Sequence, residues 1–532
     1  MVNRIARLPL AVLFLTLLLL SGADARPRVH HADKPHPQPD NPDGPFLADF
    51  PPGDPRIPSS HARDFSAGRV RFDGEKLVRL TLRPHDDAEE LRDLRDGLVF
   101  YLESALALDV WGVHRTDEGG FAVDFRCSDE QLRTVADTLG VEADKRVEME
   151  VVNPDIQEAI DRENVRLLKA HVEKVKGMAK KPGKKPPPAN PSNPSAWFKE
   201  YHPYPEILSF FSNLAAEHPS LATFTPSIGK TYEGRDIAAI TISAVPAEAR
   251  DALKVKQIWW QGMIHAREWI SGATVQFLAH KLLTAHADES DPDHTWAVKV
   301  LNESEFTIIP TVNPDGYEYT WSRDRMWRKN RRPVTGSSAY GVDLNRNYPD
   351  GWGTGGASKN PYSEAYQGPS PLSEPEVKVL TSYFLSHMKR AVLAIDFHSY
   401  SQLVLRPLGY SSYPAPHDAK LKAVGDAARD AIRATSGKKY VSEREIDLYA
   451  ASGTAEDWFY SVDVGKKTTE DRGGNGRVYG FTIELRPSAN EGGWGGDGFI
   501  LPPESIIPVG EEIWAAMKAV VPKVLDDPLV NK

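Results

Sequence analysis

A chain of 532 residues with a single cysteine, Cys127, has to fold without an intrachain disulfide. It also cannot build a zinc site from several cysteines, so any metal must sit on histidines and carboxylates. Stability must come from buried apolar surface. The length permits this, because it exceeds one ordinary domain and predicts two or three folded units. Hydrophobic residues at 40% and charged residues at 26% mark a globular chain. A net charge of −10 argues against a nucleic-acid partner.

So few cysteines would fit a reducing compartment, but the N-terminus reads otherwise. Arg4 and Arg7 precede the apolar run Leu8 to Leu20, and Ala23-Asp24-Ala25 follows it. This is the pattern of a secretory signal peptide, residues 1–25, and it predicts an extracellular protein. The run is shorter than the ~20 residues a membrane span needs, and no later stretch supplies one, so no membrane partner is expected. Residues 26–67 are rich in Pro, His and Asp and read as a disordered leader.

Residues 68–171 read as a compact unit. Val70 to Phe72, Leu77 to Leu82, Leu108 to Trp111, Phe121 to Phe125 and Val147 to Val152 have strand character. Asp86 to Leu98 has helical spacing, and Ser128 to Gln131 caps a second helix reaching Leu139. The order β-α-β-β-α-β predicts a small antiparallel open sandwich. A connecting helix follows from Asp155 to His171, and Cys127 is expected to be a semi-buried thiol. Residues 172–196 form a basic, Pro-rich linker, a place where a trypsin-like protease would cut. Residues 197–527 alternate apolar strands (Ile258 to Trp260, Phe306 to Ile309, Ala391 to Ile395, Tyr479 to Ile483) with amphipathic helices. That alternation predicts an α/β domain with a mixed, mostly parallel sheet.

His265 and Glu268 follow the strand Ile258 to Trp260 and stand three residues apart. One turn can aim both at a common centre. His398 sits at the C-terminal end of the strand Ala391 to Ile395, the edge where open α/β sheets bind ligands. Together they make His₂Glu, a catalytic zinc set that keeps one position open.

The motifs around these residues are GMIHAREWI (262–270), TVNPDGYEYT (311–320), RMWRKNR (325–331), GVDLNRN (341–347), FHSYSQL (397–403), LYAASG (448–453), FTIELR (481–486) and GFILPPESIIP (498–508). In order and spacing they resemble the secreted zinc metallocarboxypeptidases of the carboxypeptidase A/B family. The resemblance implies an eight-stranded mixed sheet with helices on both faces, preceded by an inhibitory propeptide. It implies one Zn²⁺ held by His265, Glu268 and His398. It implies a zinc-activated water, with Glu484 as its general base and Arg328 stabilising the oxyanion. Asn345, Arg346 and Tyr449 would hold the substrate's C-terminal carboxylate, and Arg267 and Arg325 would line outer subsites. Asp343 would orient His265. The partners implied are peptide or protein C-termini and an activating trypsin-like protease, acting on a monomer.

By the same resemblance, Glu456 lies at the floor of the pocket for the C-terminal side chain. A buried carboxylate there calls for a cation, so C-terminal Lys or Arg is expected. Arg444 nearby is the residue that would neutralise Glu456 internally and leave A-type, hydrophobic specificity. A non-catalytic pseudopeptidase is the rival from another class, and intact Glu484 argues against it. Two positions that pair as a disulfide in many animal members are Ala339 and Tyr362 here. The Gly-rich loop between Glu484 and Phe499 is longer than usual. Arg486-Pro487 occupies the family's cis position, and Asn302-Glu303-Ser304 is a glycosylation sequon.

Overall fold

The computed structural model describes residues 69–140, 146–179, 194–462, 478–488 and 498–528. The signal peptide, the whole leader, the centre of the linker and most of the Gly-rich loop lie outside the described residues.

The N-terminal unit has four strands: β1 (Lys76–Leu82), β2 (Asp109–Arg115), β3 (Phe121–Cys127) and β4 (Val147–Asn153). Their order is β2-β3-β1-β4, all antiparallel. Helix α1 (Ala88–Phe100) starts at Asp87, whose carboxylate accepts from Glu89 and Glu90 N–H groups. A π-helical turn, Tyr101–Ala105, ends it. Helix α2 (Asp129–Leu139) starts at a full capping box between Ser128 and Gln131. Three expectations need correction. Val70 to Phe72 is not a strand: Val70 N–H donates to Arg323 O and Phe72 N–H to Gln157 Oε1, so both leave the sheet. Cys127 is fully buried, not half-buried, and burial pushes its thiol up to about 12. Helix α3 (Ile156–Ala179) overruns the expected linker start at 172. A lysine run does not break a helix, and the first proline is Pro182.

The larger unit is built on eight strands: β5 (Ala222–Lys230), β6 (Asp236–Ile242), β7 (Lys256–Gly262), β8 (Ser304–Ile309), β9 (Ala391–Ser399), β10 (Leu403–Arg406), β11 (Val441–Arg444) and β12 (Tyr479–Leu485). Their order is β11-β10-β12-β9-β7-β8-β6-β5. The central β12, β9, β7 and β8 are mutually parallel, while β10–β12, β8–β6 and β6–β5 are antiparallel. Helices cover both faces, as expected. Ile258 and Trp260 of β7 join a core with α4 (Tyr204–Glu217), α5 (Trp269–Ala287), α6 (His294–Glu303), α9 (Asp418–Ser436) and α12 (Ile506–Leu525). Trp259 points the other way, toward α8 (Pro375–His387) and α11 (Ala455–Ser461). Two further helices, α7 (Pro314–Ser322) and α10 (Glu445–Leu448), edge the site. Phe210, Phe211 and Phe306 are wholly buried, each contributing roughly 1.5–3 kcal/mol. This core serves where disulfides are absent. Ser338 Oγ and Tyr362 OH, 2.9 Å apart, link the two segments that carry the lost cysteine positions.

The N-terminal unit lies against the catalytic sheet's edge. Leu403, Leu405 and Leu448 are buried in the N-terminal unit's own apolar core. A second shared cluster joins Phe72, Trp111 and Ile160 to Met326, Tyr400 and Phe499.

Candidate active site

Because β7, β9 and β12 are adjacent and parallel, their C-terminal ends share one edge. His265 follows β7, His398 ends β9, and Glu484 ends β12, in register opposite His398. The chain leaves β7 through Met263, at φ +59°, whose N–H donates to Ser271 Oγ at 3.0 Å. Gly272 permits this turn, since a Cβ there would lie 2.6 Å from Met263 Cγ. The turn brings His265 back beside Glu268, the residue that precedes α5.

His265 Nδ1 stands 2.8 Å from Glu268 Oε1 and 3.1 Å from His398 Nδ1. His398 Nδ1 is 3.2 Å from Glu268 Oε2. All three residues are buried and converge on one point. Ligands held 2.0–2.1 Å from one tetrahedral ion would stand roughly 3.3 Å apart, so this set fits zinc. The outer ring nitrogens face carboxylates: His265 Nε2 is 3.0 Å from Asp343 Oδ1, and His398 Nε2 is 3.1 Å from Asp396 Oδ2. These contacts fix which nitrogen of each ring faces the centre. Burial opposes ionisation of Asp343, but Arg328 and His265 hold its carboxyl well below the usual range.

Glu484 is not a partner of Arg486, which pairs with Glu512 instead. The Oε2 atom of Glu484 is buried without a hydrogen-bond partner among the described residues. Burial pushes the Glu484 carboxyl up to about 8. Arg328 Nη2 donates to Asp343 Oδ2 at 2.8 Å, and its Nη1 lies 3.8 Å from Glu268 Oε1. Asn345 Oδ1 accepts from Ala455 N–H at 2.8 Å, which leaves its amide nitrogen to donate. Arg346 is anchored by Gly356 O and Asn345 O. Tyr449, at the end of α10, packs against the N-terminal unit's core. Arg486-Pro487 is cis, as expected.

Arg267 and Arg325 are both taken by the N-terminal unit. One Arg267 nitrogen lies 2.8 Å from both oxygens of Asp109, and its guanidinium lies over the Phe499 ring. Arg325 grips Glu163 of α3 at 2.6 and 3.1 Å and stacks on Trp269. Glu456 is wholly buried and accepts from Thr482 Oγ1 at 3.0 Å. The internal neutralisation by Arg444 does not occur. Arg444 binds Asp447 at 2.7 and 2.9 Å, because the two stand three apart across the first turn of α10. In the sequon, Asn302 is exposed near the end of α6, and Ser304 is buried with its hydroxyl on Val300 O.

Sequence reasoning passed over Asp396, Glu445, Asp109, Glu163 and Glu103. Asp396 was findable: two residues before His398 on a strand, it shares that residue's face. Glu445 had only the charged run SEREIDLY as a signal. Glu103 comes from the π-helical turn. Burial pushes its carboxyl up to about 7, while Arg346 and Arg328 act in the opposite direction.

The profile of the zinc carboxypeptidase family, Peptidase_M14, matches residues 207–516. The chain belongs to that family, and the family's metal is zinc. Carboxypeptidase A1 of Rattus norvegicus is 32% identical over 462 residues, 87% of this chain and 96% of the rat protein. Carboxypeptidase B of Astacus astacus is 35% identical over 329 residues, 61% of this chain and 97% of the crayfish protein. Among solved structures, carboxypeptidase A from Helicoverpa armigera superposes with a TM-score of 0.66 at 26% identity. That match covers 86% of this chain and 99% of the insect chain. Thrombin activatable fibrinolysis inhibitor superposes with a TM-score of 0.63 at 26% identity, over 85% of this chain and all of its own. The protein is a zinc metallocarboxypeptidase of the A/B type with a zymogen-like arrangement. Among the described residues, no helix is long and apolar enough to cross a membrane.

Proposed function

We propose that this chain is a secreted zymogen whose processed form removes single C-terminal residues, with a preference for Arg and Lys. The observation that carries the zymogen reading is the capture of Arg267 and Arg325 by Asp109 and Glu163. Both arginines belong to the mouth of the site, and both carboxylates belong to the N-terminal unit. Glu103 adds a third acidic group toward Arg346 and Arg328. The cap thus presents anions where a substrate's C-terminus would otherwise arrive. Cleavage by a trypsin-like protease in the basic linker, around residues 172–196, would allow its release. The small N-terminal unit at 68–171 is then an activation domain and 197–527 the catalytic domain.

His265, Glu268 and His398 would hold zinc, which supplies Lewis acidity toward water and the scissile carbonyl. Glu484 takes the proton of the attacking water and returns one to the leaving amine. Arg328 directs its guanidinium at the charge developing on the carbonyl oxygen. Arg346 and the free Asn345 amide bind the terminal carboxylate, and Tyr449 closes over it. An internal peptide bond has no carboxylate for this grip, which makes the enzyme an exopeptidase.

The preference for a cation rests on Glu456, buried with no basic partner once Arg444 is committed to Asp447. The test uses trypsin-treated protein and peptides differing only at the C-terminus: Arg, Phe, Glu, or Arg amide. Arg turns over fastest, a chelator abolishes turnover, and the amide resists. Phe fastest would overturn the basic preference, and unimpaired turnover of the amide would overturn the exopeptidase reading.

A further inference from the structure

Glu445 begins α10 and is only 3% exposed. Its carboxylate, that of Glu456 and that of Asp457 lie with their oxygens within 4.8 Å of one another. The three are not equivalent. Asp457 accepts the Gly409 N–H at 3.0 and 3.2 Å. Glu456 has one oxygen on Thr482 Oγ1. Glu445 Oε2 and Glu456 Oε1 are buried, and no group among the described residues donates to either. Glu456 is the strongest charged neighbour of Glu445, ahead of Asp457 and Arg346.

Among the described residues, no side-chain cation forms an ion pair with either carboxylate. Arg444 points to Asp447 and Ser412 O. Arg346 is the positive group acting on Glu445, but its guanidinium donates to Gly356 O and Asn345 O. The fold also makes room for Glu445: a Cβ on Gly409 would stand 2.2 Å from its Oε2. Two buried carboxylates facing each other cannot both be ionised at tolerable cost. Either they share a proton or something positive comes between them.

We propose that Glu445 is a second specificity-determining residue, forming with Glu456 a two-carboxylate receptor for the guanidinium of a C-terminal arginine. The proposal rests on the reading of Glu456 as the pocket floor. A guanidinium carries five donors in a planar fork and can serve two carboxylates at once. A lysine ammonium is a more strongly hydrated point charge, so Arg exceeds Lys. Before a substrate binds, the Glu445 carboxyl holds its proton. When the cation enters, that proton leaves to solvent and the pair becomes doubly charged. The groups that bias it are Glu456 and Asp457 on α11, Arg346, and Tyr449 beyond α10. Burial first, then Glu456, holds the Glu445 carboxyl well above its ordinary range. Preference for Arg over Phe therefore rises with pH, as the shared proton becomes easier to remove.

The experiment compares kcat/KM of processed enzyme on otherwise identical peptides ending in Arg, Lys and Phe, from pH 5 to pH 8. Wild type prefers Arg over Lys over Phe, and its Arg/Phe ratio climbs with pH. Glu445→Gln and Glu456→Gln each lower that ratio at least about tenfold, and the pH trend flattens. Glu445→Asp recovers part of the ratio, which a purely structural role would not produce. If Glu456→Gln collapses the ratio while Glu445→Gln leaves it intact, the receptor is a single carboxylate: this inference falls and the basic preference stands. If wild type prefers Phe, the basic preference itself falls and the inference with it. The wild-type pH trend needs no variant to fold, and a flat Arg/Phe ratio overturns the shared-proton receptor.

Discussion

A single nitrogen of Arg267 stands 2.8 Å from both carboxylate oxygens of Asp109, and the pair bridges the two units. Arg267 is wholly buried there. Asp109 also accepts from Trp111 Nε1 at 2.9 Å and Arg126 Nε at 3.1 Å, so the anion is fixed before it meets its partner. Burial opposes its ionisation, but Arg267 and Arg126 hold the carboxyl down at about 2.

Removing that charge should loosen the cap. Breaking one side of a buried pair costs about 3–5 kcal/mol, part of which appears as weaker docking. The uncut Asp109→Asn chain is expected to hydrolyse a small substrate about tenfold faster than uncut wild type, equivalent to about 1.4 kcal/mol. Steady-state rates before any protease treatment check this. Equal rates in the two uncut chains would remove Asp109 from the latch.

Glu484 supplies the second expectation. It is not among the zinc-binding side chains, so Glu484→Gln should keep the metal and lose the chemistry. A fall in kcat of roughly 10²–10⁴ is expected, with zinc content unchanged by elemental analysis. A variant as active as wild type would remove Glu484 from the proton-transfer role.

Asp396 gives a third. It faces the outer nitrogen of His398 and should hold that ring in its ligating orientation. Asp396→Asn is expected to weaken zinc binding about 10–100-fold, read by competition with a chromogenic chelator. An unchanged affinity would mean that packing alone orients His398.

His114 on β2 makes the cap sensitive to acid. Both of its ring nitrogens are buried without partners. Burial lowers its pKa from 6.5 to about 4, with Asp124 and Arg79 acting in opposite directions. The folded unit therefore resists a proton that the unfolded chain accepts. Stability from this group is complete above about pH 6.5 and drains away as pH falls toward 4. Between pH 7 and pH 5 the cap should lose about 2 kcal/mol, visible in urea unfolding. His114→Leu should flatten that slope, and a slope unaffected by the substitution would exclude His114 as its source.

What the sequence makes legible depends on how locally each contact is encoded. His265 and Glu268 share one turn, and His398 ends an apolar strand, so the metal set can be read from spacing. The Ser128–Gln131 capping box is equally local. Arg444 was the alternative partner for Glu456, but the nearer Asp447 wins by helical spacing. Asp109–Arg267 and Glu163–Arg325 span 158 and 162 positions and exist only because two folded surfaces dock. No periodicity encodes such a pair. Glu445 was equally hidden, since only the assembled sheet decides that its side chain turns inward.

Leu403 and Leu405 of β10 and Leu448 of α10 belong to the larger unit yet lie inside the N-terminal unit's apolar core. Cutting the linker should therefore leave those leucines covered and yield a two-chain complex, still silent, held by wetting cost as well as by charge. Awakening becomes a matter of dilution. A concentrated sample, fully nicked, should lag behind a dilute one, and salt that weakens Asp109–Arg267 would shorten the lag only in part.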